Sequence, residues 1–593
     1  MKRRLAAVAF AVQFVIEGLL FHGVRPWLER PRVLLDVAAT AALWALVLLC
    51  ATTRARRAVV AVTAATLLVA QAMVFRYYHA PLDVQVAASA LHVWHDVRLV
   101  VIRAAPALVA TIAVVSAIEW ALLSLVHAAR ETRELRLPAP LLGLAATAGL
   151  FGLGPRHATP DVRALHALSA LRAPPRPAQA ASGVSLPSLH VERAETPSVL
   201  FVLTESVRAR DYDASGASPT AAETRKVTPS RVDLAQMRAI SSYTAVSLSA
   251  VLTGRSQEGA RDAILRAPSL FDFARAARDA RGSRPTVSYF SAQSETVFEA
   301  KDVRASVDRF VTIETLRGRD VEDDADYAEL PLDADVVDAF VAKLPEIEEP
   351  SVTVLHLVGT HAPYFVDRAR APFQPYDHVV TWSGMPKLHN AYKNAIVEQD
   401  RKVARAVAAF IAHAGSRPWI VAFTSDHGES FGEHGAIHHG QNLMDEQIHV
   451  PAWIAFGGGA LDAAESRALA DHGARFVTHL DLLPTLLDAM GLWDNFAVAP
   501  HRAAMPGRSL LRPWEARAPI PVTNCTGMFP CPLNTWGVLA GDRKLVARLW
   551  DGGWSCFALG GSEERAAPEP SCERLRAVSR VAFPLLPNGA PNR

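Results

Sequence analysis

The chain has 593 residues, with 61 lysines and arginines against 59 aspartates and glutamates and a formal net charge of +2. So even a balance removes the electrostatic case for a nucleic-acid partner, and none is expected. The length exceeds that of one compact domain. Apolar residues are spread unevenly: long uncharged stretches crowd residues 1–155, and the remainder reads as a water-soluble protein.

Five stretches, 5–24, 33–50, 58–75, 104–126 and 137–153, come close to the ~20 residues a helix needs to cross hydrocarbon; the last is short and glycine-rich. Further spans, and no clear small-residue cleavage site, argue against reading the first as a signal peptide. With the N-terminus inside, Lys2, Arg3, Arg4, Arg54, Arg56, Arg57, Arg130, Arg133 and Arg136 all face the cytoplasm. Arg25, Arg30, Arg32, Arg76 and Arg98 on the opposite side make the bias moderate. Five spans then export everything after residue 153. Glu17 and Glu119 fall inside apolar stretches, where a carboxylate is costly unless paired or protonated. Hydrogen bonding between helices is preferred there to a grip on a lipid headgroup.

The expected organisation is therefore a five-helix transmembrane region, 1–155, a Pro/Ala-rich linker, 156–197, and an exported domain, 198–593. The linker carries "RAPPRPAQAASGVSLPS", which cannot build a core. Beyond it, strand-like runs at 198–204, 286–292, 351–359, 419–425 and 450–456 alternate with helical patterns at 269–280, 335–344, 392–413 and 481–490. That alternation predicts an α/β sandwich around a largely parallel sheet, with ligands beyond the carboxyl ends of its strands.

The reactive residues stand at such ends. "FVLTESVR" delivers Glu205, "HLVGTHAPYF" delivers His361, and "FTSDHGESFGEHGAIHHG" delivers Asp426 and His427, then Glu429, Glu433, His434, His438 and His439. Between strands, "AISSYTAVSLSAVLTGR" offers Thr244 among several hydroxyls, Ser242 and Ser247 included. Carboxylates with imidazole suit zinc or manganese. Glu429 and Glu433 read as orienting ligands or closing the loop. His434 divides evenly between a part in the chemistry and a supporting or exposed place, and for His438 exposure is preferred to catalysis. A second Asp-His-Gly, residues 471–473, follows a polar helical run with no strand before it and reads as surface. Four cysteines cluster late, and Cys525–Cys531 with Cys556–Cys572 is the preferred of three pairings.

Taken together, the "TES", "TAVSLSAVLTGR", "HAPY" and "SDHGESFGEHG…HHG" segments resemble the sulfatase-like branch of the alkaline phosphatase superfamily. Five spans before an exported domain resemble, more narrowly, its phosphoethanolamine transferases and lipoteichoic-acid-synthase-type phosphoglycerol transferases. "VPAWIAF", "THLDLLPTLLDAMGL" and "PGRSLL" follow in the order expected of such a domain. The resemblance implies that Glu205, Thr244, Asp426 and His427 hold a divalent metal, Zn2+ or Mn2+. Thr244 is also the implied nucleophile, with His361 and His439 on the substrate side. Where sulfatases carry C-x-P-x-R for formylglycine, residues 244–248 read Thr-Ala-Val-Ser-Leu, so an unmodified hydroxyl is left to attack.

The implied protein is a monomeric, multi-pass enzyme of the bacterial inner membrane with a periplasmic or extracellular catalytic domain. It would move phosphoethanolamine or phosphoglycerol from a membrane lipid, through a phosphothreonine, to an envelope glycan or lipid acceptor. The alternatives are a hydrolase of sulfate or phosphate esters and, more remotely, a non-catalytic envelope-assembly protein.

Overall fold

The computed structural model describes residues 51–78, 94–131, 184–256, 263–293, 303–318, 330–524, 535–548, 553–560 and 564–582, and also residues 82, 86–87, 164 and 167. The chain divides into two compact units, Met1–Arg176 with Pro530–Leu533, and Pro177–Phe529 with Asn534–Arg593.

In the first unit, helices α1 (Arg54–Tyr78) and α2 (Trp94–Glu131) are described. They contain Arg54–Phe75 and Ala105–Leu125, 22 and 21 residues long and apolar enough to cross a membrane. Val59, Val109 and Val114 point outward, more than half exposed. Such side chains are unfavourable against water and at ease against hydrocarbon. These helices coincide with the expected spans 58–75 and 104–126. The stretches 5–24, 33–50 and 137–153, and with them Glu17, lie outside the described residues. Glu119 is buried within α2.

The second unit is built on a seven-stranded sheet. Its strands are β1 (Ser198–Thr204), β2 (Val232–Asp233), β3 (Thr286–Ser291), β4 (Arg309–Thr312), β5 (Ser351–His356), β6 (Trp419–Ser425) and β7 (Ala452–Gly457). They lie side by side in the order β2-β7-β6-β1-β5-β3-β4. The five from β6 to β4 run parallel, whereas β7 is antiparallel to both β6 and β2. Every residue of β1 and β5 is buried, as central parallel strands covered on both faces require. All five expected strands are present. The two additional ones, β2 and β4, are short and half-exposed edge strands, too brief to show an alternation.

Helix boundaries moved for physical reasons. The pattern at 392–413 belongs to α4 (Met385–Ala414), which starts earlier because Pro386 sits in the first turn, where no N–H is needed. The pattern at 269–280 stops at Ala276, and Ala277–Arg278 becomes a short strand paired in parallel with Leu189–His190. That pairing makes the end of the stretch expected as linker part of the second unit.

A second sheet is an antiparallel meander of β8 (Ile520–Thr523), β9 (Trp536–Ala540), β10 (Arg543–Arg548), β11 (Gly553–Ala558) and β12 (Arg565–Ala567). The Cys556–Cys572 disulfide ties β11 to the segment after β12. Cys525 and Cys531 lie outside the described residues.

Candidate active site

Register places the first carboxylates. Thr204 of β1 lies opposite Ser425 of β6, so the next residues, Glu205 and Asp426, emerge together at the carboxyl edge of the sheet. Ser206 then turns through a left-handed φ of 59°. Its N–H donates to Asp426 Oδ1 at 2.9 Å, and the His427 N–H donates to the same oxygen at 2.7 Å. Gly428 must be glycine: a Cβ there would lie 2.3 Å from the Glu446 carbonyl oxygen. The closeness of that chain lets the loop fold back over the strand end.

Thr244 opens the ten-residue helix α3 (Thr244–Thr253), directly after an extended Tyr243. Residues 245–253 of α3 are all buried, while Thr244 at its mouth is partly open. Its hydroxyl donates to Glu205 Oε1 at 2.8 Å and lies 3.1 Å from His427 Nε2. The other hydroxyls are engaged elsewhere: Ser242 Oγ donates to the Asn442 carbonyl at 2.6 Å, and Ser247 Oγ to the Asp426 carbonyl.

His427 Nε2 is 3.3 Å from Glu205 Oε1 and 3.2 Å from Asp426 Oδ2, with all three side chains fully buried. Ligand atoms of Glu205, Asp426 and His427 all lie within 4.8 Å of one another. His427 Nδ1 faces the Gly428 carbonyl at 3.0 Å; a carbonyl only accepts, so Nδ1 carries a proton and Nε2 is the atom turned toward the two carboxylates.

These donors fit a divalent cation. Glu205 Oε2 and Asp426 Oδ2 are buried and accept no hydrogen bond among the described residues, a cost that a bound cation would remove. The electrostatics agree. Burial opposes ionisation of Glu205, but the imidazoles of His356 and His427 hold it well below the usual carboxylate range. Burial, then the Glu205 charge, pushes Asp426 well above it. Burial would also depress His427, yet Asp426 and Glu205 hold it up at about 9. Two buried carboxylates that oppose each other's charge call for a positive partner.

His361 and His439 stand beside this cluster. Their ring centroids are 5.3 Å apart, and His439 lies 4.2 Å from the His427 ring. Together with Glu205 they form a second group of three potential ligands. Glu429 is fully buried behind them, its Oε1 3.4 Å from His439 Nδ1 and 3.7 Å from His438 Nδ1. It faces the histidine pair, whereas Glu433 accepts from Arg208 Nη1 at 2.8 Å and so closes the loop.

Two expectations need correcting, those for His438 and for the second Asp-His-Gly, and the open one for His434 resolves toward solvent. His438, read as exposed, has a side chain only 15% exposed and turned toward Glu429. His434 lies outside both groups around Glu205: it is 43% exposed and bonds Glu446 at 2.9 Å. In the second Asp-His-Gly, Asp471 is exposed, but His472 is buried and bonds the Arg512 carbonyl at 3.1 Å. Helix Ala463–His472 turns that residue inward, which a local reading of polarity misses.

Other residues of the site went unnoticed in the sequence. His356 ends β5 and lies 3.7 Å from Glu205 Oε2, and its place as the polar end of an apolar strand was the available signal. Arg208 is 1% exposed and joins Asp211, Glu433, His389 and the Glu429 carbonyl, gathering segments that only the fold brings together. Asp333, from helix Leu332–Lys343, accepts from the Val358 and Gly359 N–H groups and so holds the turn that carries His361.

The family model described as Sulfatase matches residues 197–492. Among characterised proteins, the phosphatidylethanolamine transferase Mcr-1 of Escherichia coli is 31% identical over 144 residues, 23% of this chain and 25% of that protein. The phosphoethanolamine transferase EptA of Salmonella typhimurium is 29% identical over 119 residues, 19% of this chain and 22% of that one. The matches thus span about a quarter of these relatives' length. Among solved structures, the integral membrane lipooligosaccharide phosphoethanolamine transferase A of Neisseria meningitidis aligns over 82% of this chain and 96% of its own, with a TM-score of 0.51 and 15% identity. That last likeness is one of fold.

Proposed function

From the premise that residues 197–492 form an enzyme domain of the sulfatase family, we propose that this chain is a membrane-anchored transferase. It moves phosphoethanolamine from a phospholipid headgroup to an envelope acceptor through an ester on Thr244. The observation that carries the reading is the Thr244 hydroxyl itself, held between Glu205 Oε1 and His427 Nε2 where sulfatases carry formylglycine. The likeness to Mcr-1 and EptA supports the choice of group.

The residues divide the work. Thr244 Oγ1 attacks phosphorus; a Thr–O–P bond forms and the bond from phosphorus to the diacylglycerol oxygen breaks. Glu205 Oε1, which accepts the hydroxyl hydrogen, orients Thr244 Oγ1 for attack, and the proton leaves through the partly open mouth of the site. His361 and His439 hydrogen-bond the phosphoryl oxygens, and one of them protonates the departing diacylglycerol oxygen. The open N–H groups at the start of α3 favour the anion at this point. An acceptor hydroxyl then attacks the same phosphorus and gives its proton to that histidine, while the Thr–O–P bond breaks and Thr244 Oγ1 regains its hydrogen. Glu205, Asp426, His427 and Thr244 would hold zinc or manganese, which stabilises the alkoxide and the charge developing on the phosphoryl group.

The other expectations enter this reading as well: a five-span region over residues 1–155, a linker over 156–197, an inner-membrane location with residues 198–593 outside the cytoplasm, and a lipid or glycan acceptor. The test is the purified full-length chain in detergent with phosphatidylethanolamine. Diacylglycerol release and a phosphoethanolamine adduct on Thr244 are expected in intact-mass analysis. An adduct from phosphatidylglycerol alone would change the group to phosphoglycerol. Rapid hydrolysis of aryl sulfates with both lipids untouched would overturn the transferase reading.

A further inference from the structure

Asn524 follows directly on β8, beyond residue 492, where the sulfatase match ends. Its side chain is buried, with 8% of the residue exposed, and its carboxamide is fully used. Oδ1 accepts from the Ser242 N–H at 2.7 Å and the Ser241 hydroxyl at 2.9 Å. Nδ2 donates to Ser242 Oγ at 2.8 Å and to the Gly440 carbonyl at 3.1 Å. Ser242 stands two residues before Thr244, and Gly440 immediately follows His439. One side chain thus bridges the segment leading into the nucleophile and the segment leaving the substrate-side histidine.

The rest of the geometry gives the bridge its importance. Residues 241–243 belong to no helix or strand, and Gly440 has a φ of +82°, so the ladders of the central sheet stiffen neither side. Ser242 Oγ, which receives one arm of the amide, passes its own hydrogen to the Asn442 carbonyl and completes a closed ring of bonds. Asparagine meets the need because it combines one oxygen that accepts twice with one nitrogen that donates twice. Aspartate keeps the acceptor and loses both donors.

We propose that Asn524 is a positioning residue that sets the spacing between Thr244 Oγ1 and the His439 imidazole across the phosphoryl group. The inference rests on the roles given to Thr244 and His439 above. Among the described residues, Asn524 hydrogen-bonds none of the proposed metal ligands: its partners are Ser241, Ser242 and Gly440, with a backbone bond to Thr535. The C-terminal meander is thereby part of the catalytic apparatus.

The experiment uses the full chain in detergent with phosphatidylethanolamine as donor and compares wild type with Asn524→Asp and Asn524→Ala. A misplacement of about 1 Å costs on the order of 100-fold, so kcat is expected to fall by about that factor. KM, bound metal and near-ultraviolet circular dichroism are expected to stay at wild-type values for Asn524→Asp, which preserves volume and both accepted bonds. Wild-type kcat in both folded variants overturns the proposal. So does a loss of kcat that merely tracks lost metal or lost native signal, since that describes a structural residue. If wild type itself releases no diacylglycerol, the transferase reading has failed. The same variants are then read with an aryl phosphate or aryl sulfate ester, where an equal kcat loss upholds the bridge and an unchanged kcat overturns it.

Discussion

The Thr244 hydroxyl donates a 2.8 Å hydrogen bond to Glu205 Oε1 across 39 residues of sequence. One partner directly follows the central strand and the other begins a buried helix, so the bond joins the sheet edge to the mouth of α3. Replacing Thr244 with alanine removes the only hydroxyl among Ser242, Thr244 and Ser247 that faces the carboxylate cluster through its side chain. Turnover is expected to fall by roughly a million-fold, the order seen when a serine nucleophile is deleted. The melting temperature should hold, because the position is partly open. Diacylglycerol release from the lipid donor measures the first, and a thermal scan the second. Undiminished turnover would remove Thr244 from the mechanism.

Metal content follows from the same cluster. Asp426→Asn and His427→Ala each delete one of the inward-facing donors, and elemental analysis of the purified variants is expected to show the loss. Chelation should inactivate the wild type, with activity returning on addition of zinc or manganese. A full metal complement in both variants would break the ligand assignment.

Acid stability should report on Asp211. Burial opposes its charge, but His389 and Arg208 outweigh that and hold the carboxyl at about 2. A carboxyl depressed in the folded state stabilises above its unfolded pKa near 3.9, and the contribution fades as pH falls through the folded value. About 2 kcal/mol is therefore expected to disappear between roughly pH 4 and pH 2. Denaturant unfolding across that range should show a shallower acid decline for Asp211→Asn than for wild type.

The Cys556–Cys572 bridge joins residues 16 apart in sequence. Closing a loop of that size restricts the unfolded chain by about 3 kcal/mol. Replacing both cysteines with alanine should lower the denaturation free energy by about that amount, with the wild type under oxidising conditions as reference.

Topology is checked by reporter fusions. Fusions after residue 155 are expected to be active only with reporters that work outside the cytoplasm. A cytoplasmic reporter active there would end the five-span reading.

Much of the fold was legible in the chain. Uninterrupted apolar runs such as Ser198–Thr204 and Trp419–Ser425 appear as strands at the very bounds read from the sequence. Such runs have to be buried wherever they fall, so their pattern is local. The reactive residues were legible for a related reason: strand ends in a parallel sheet open onto one edge, and Glu205 and Asp426 sit just past two of them. The direction of β7 was not legible, since its composition is the same whichever way the chain runs.

What the sequence determined by itself was the set of chemical groups, their order along the chain and the apolar stretches that predict spans. Only the tertiary structure decided which of the loop's acidic and imidazole groups meet. It turned His438 toward Glu429, sent His434 to Glu446, placed His356 behind Glu205 and brought Asn524 to the segments beside Thr244 and His439. Propensity and hydrophobic pattern act over a few residues. These contacts cross tens to hundreds of residues and exist only because a buried polar group must find a partner wherever the packed chain supplies one.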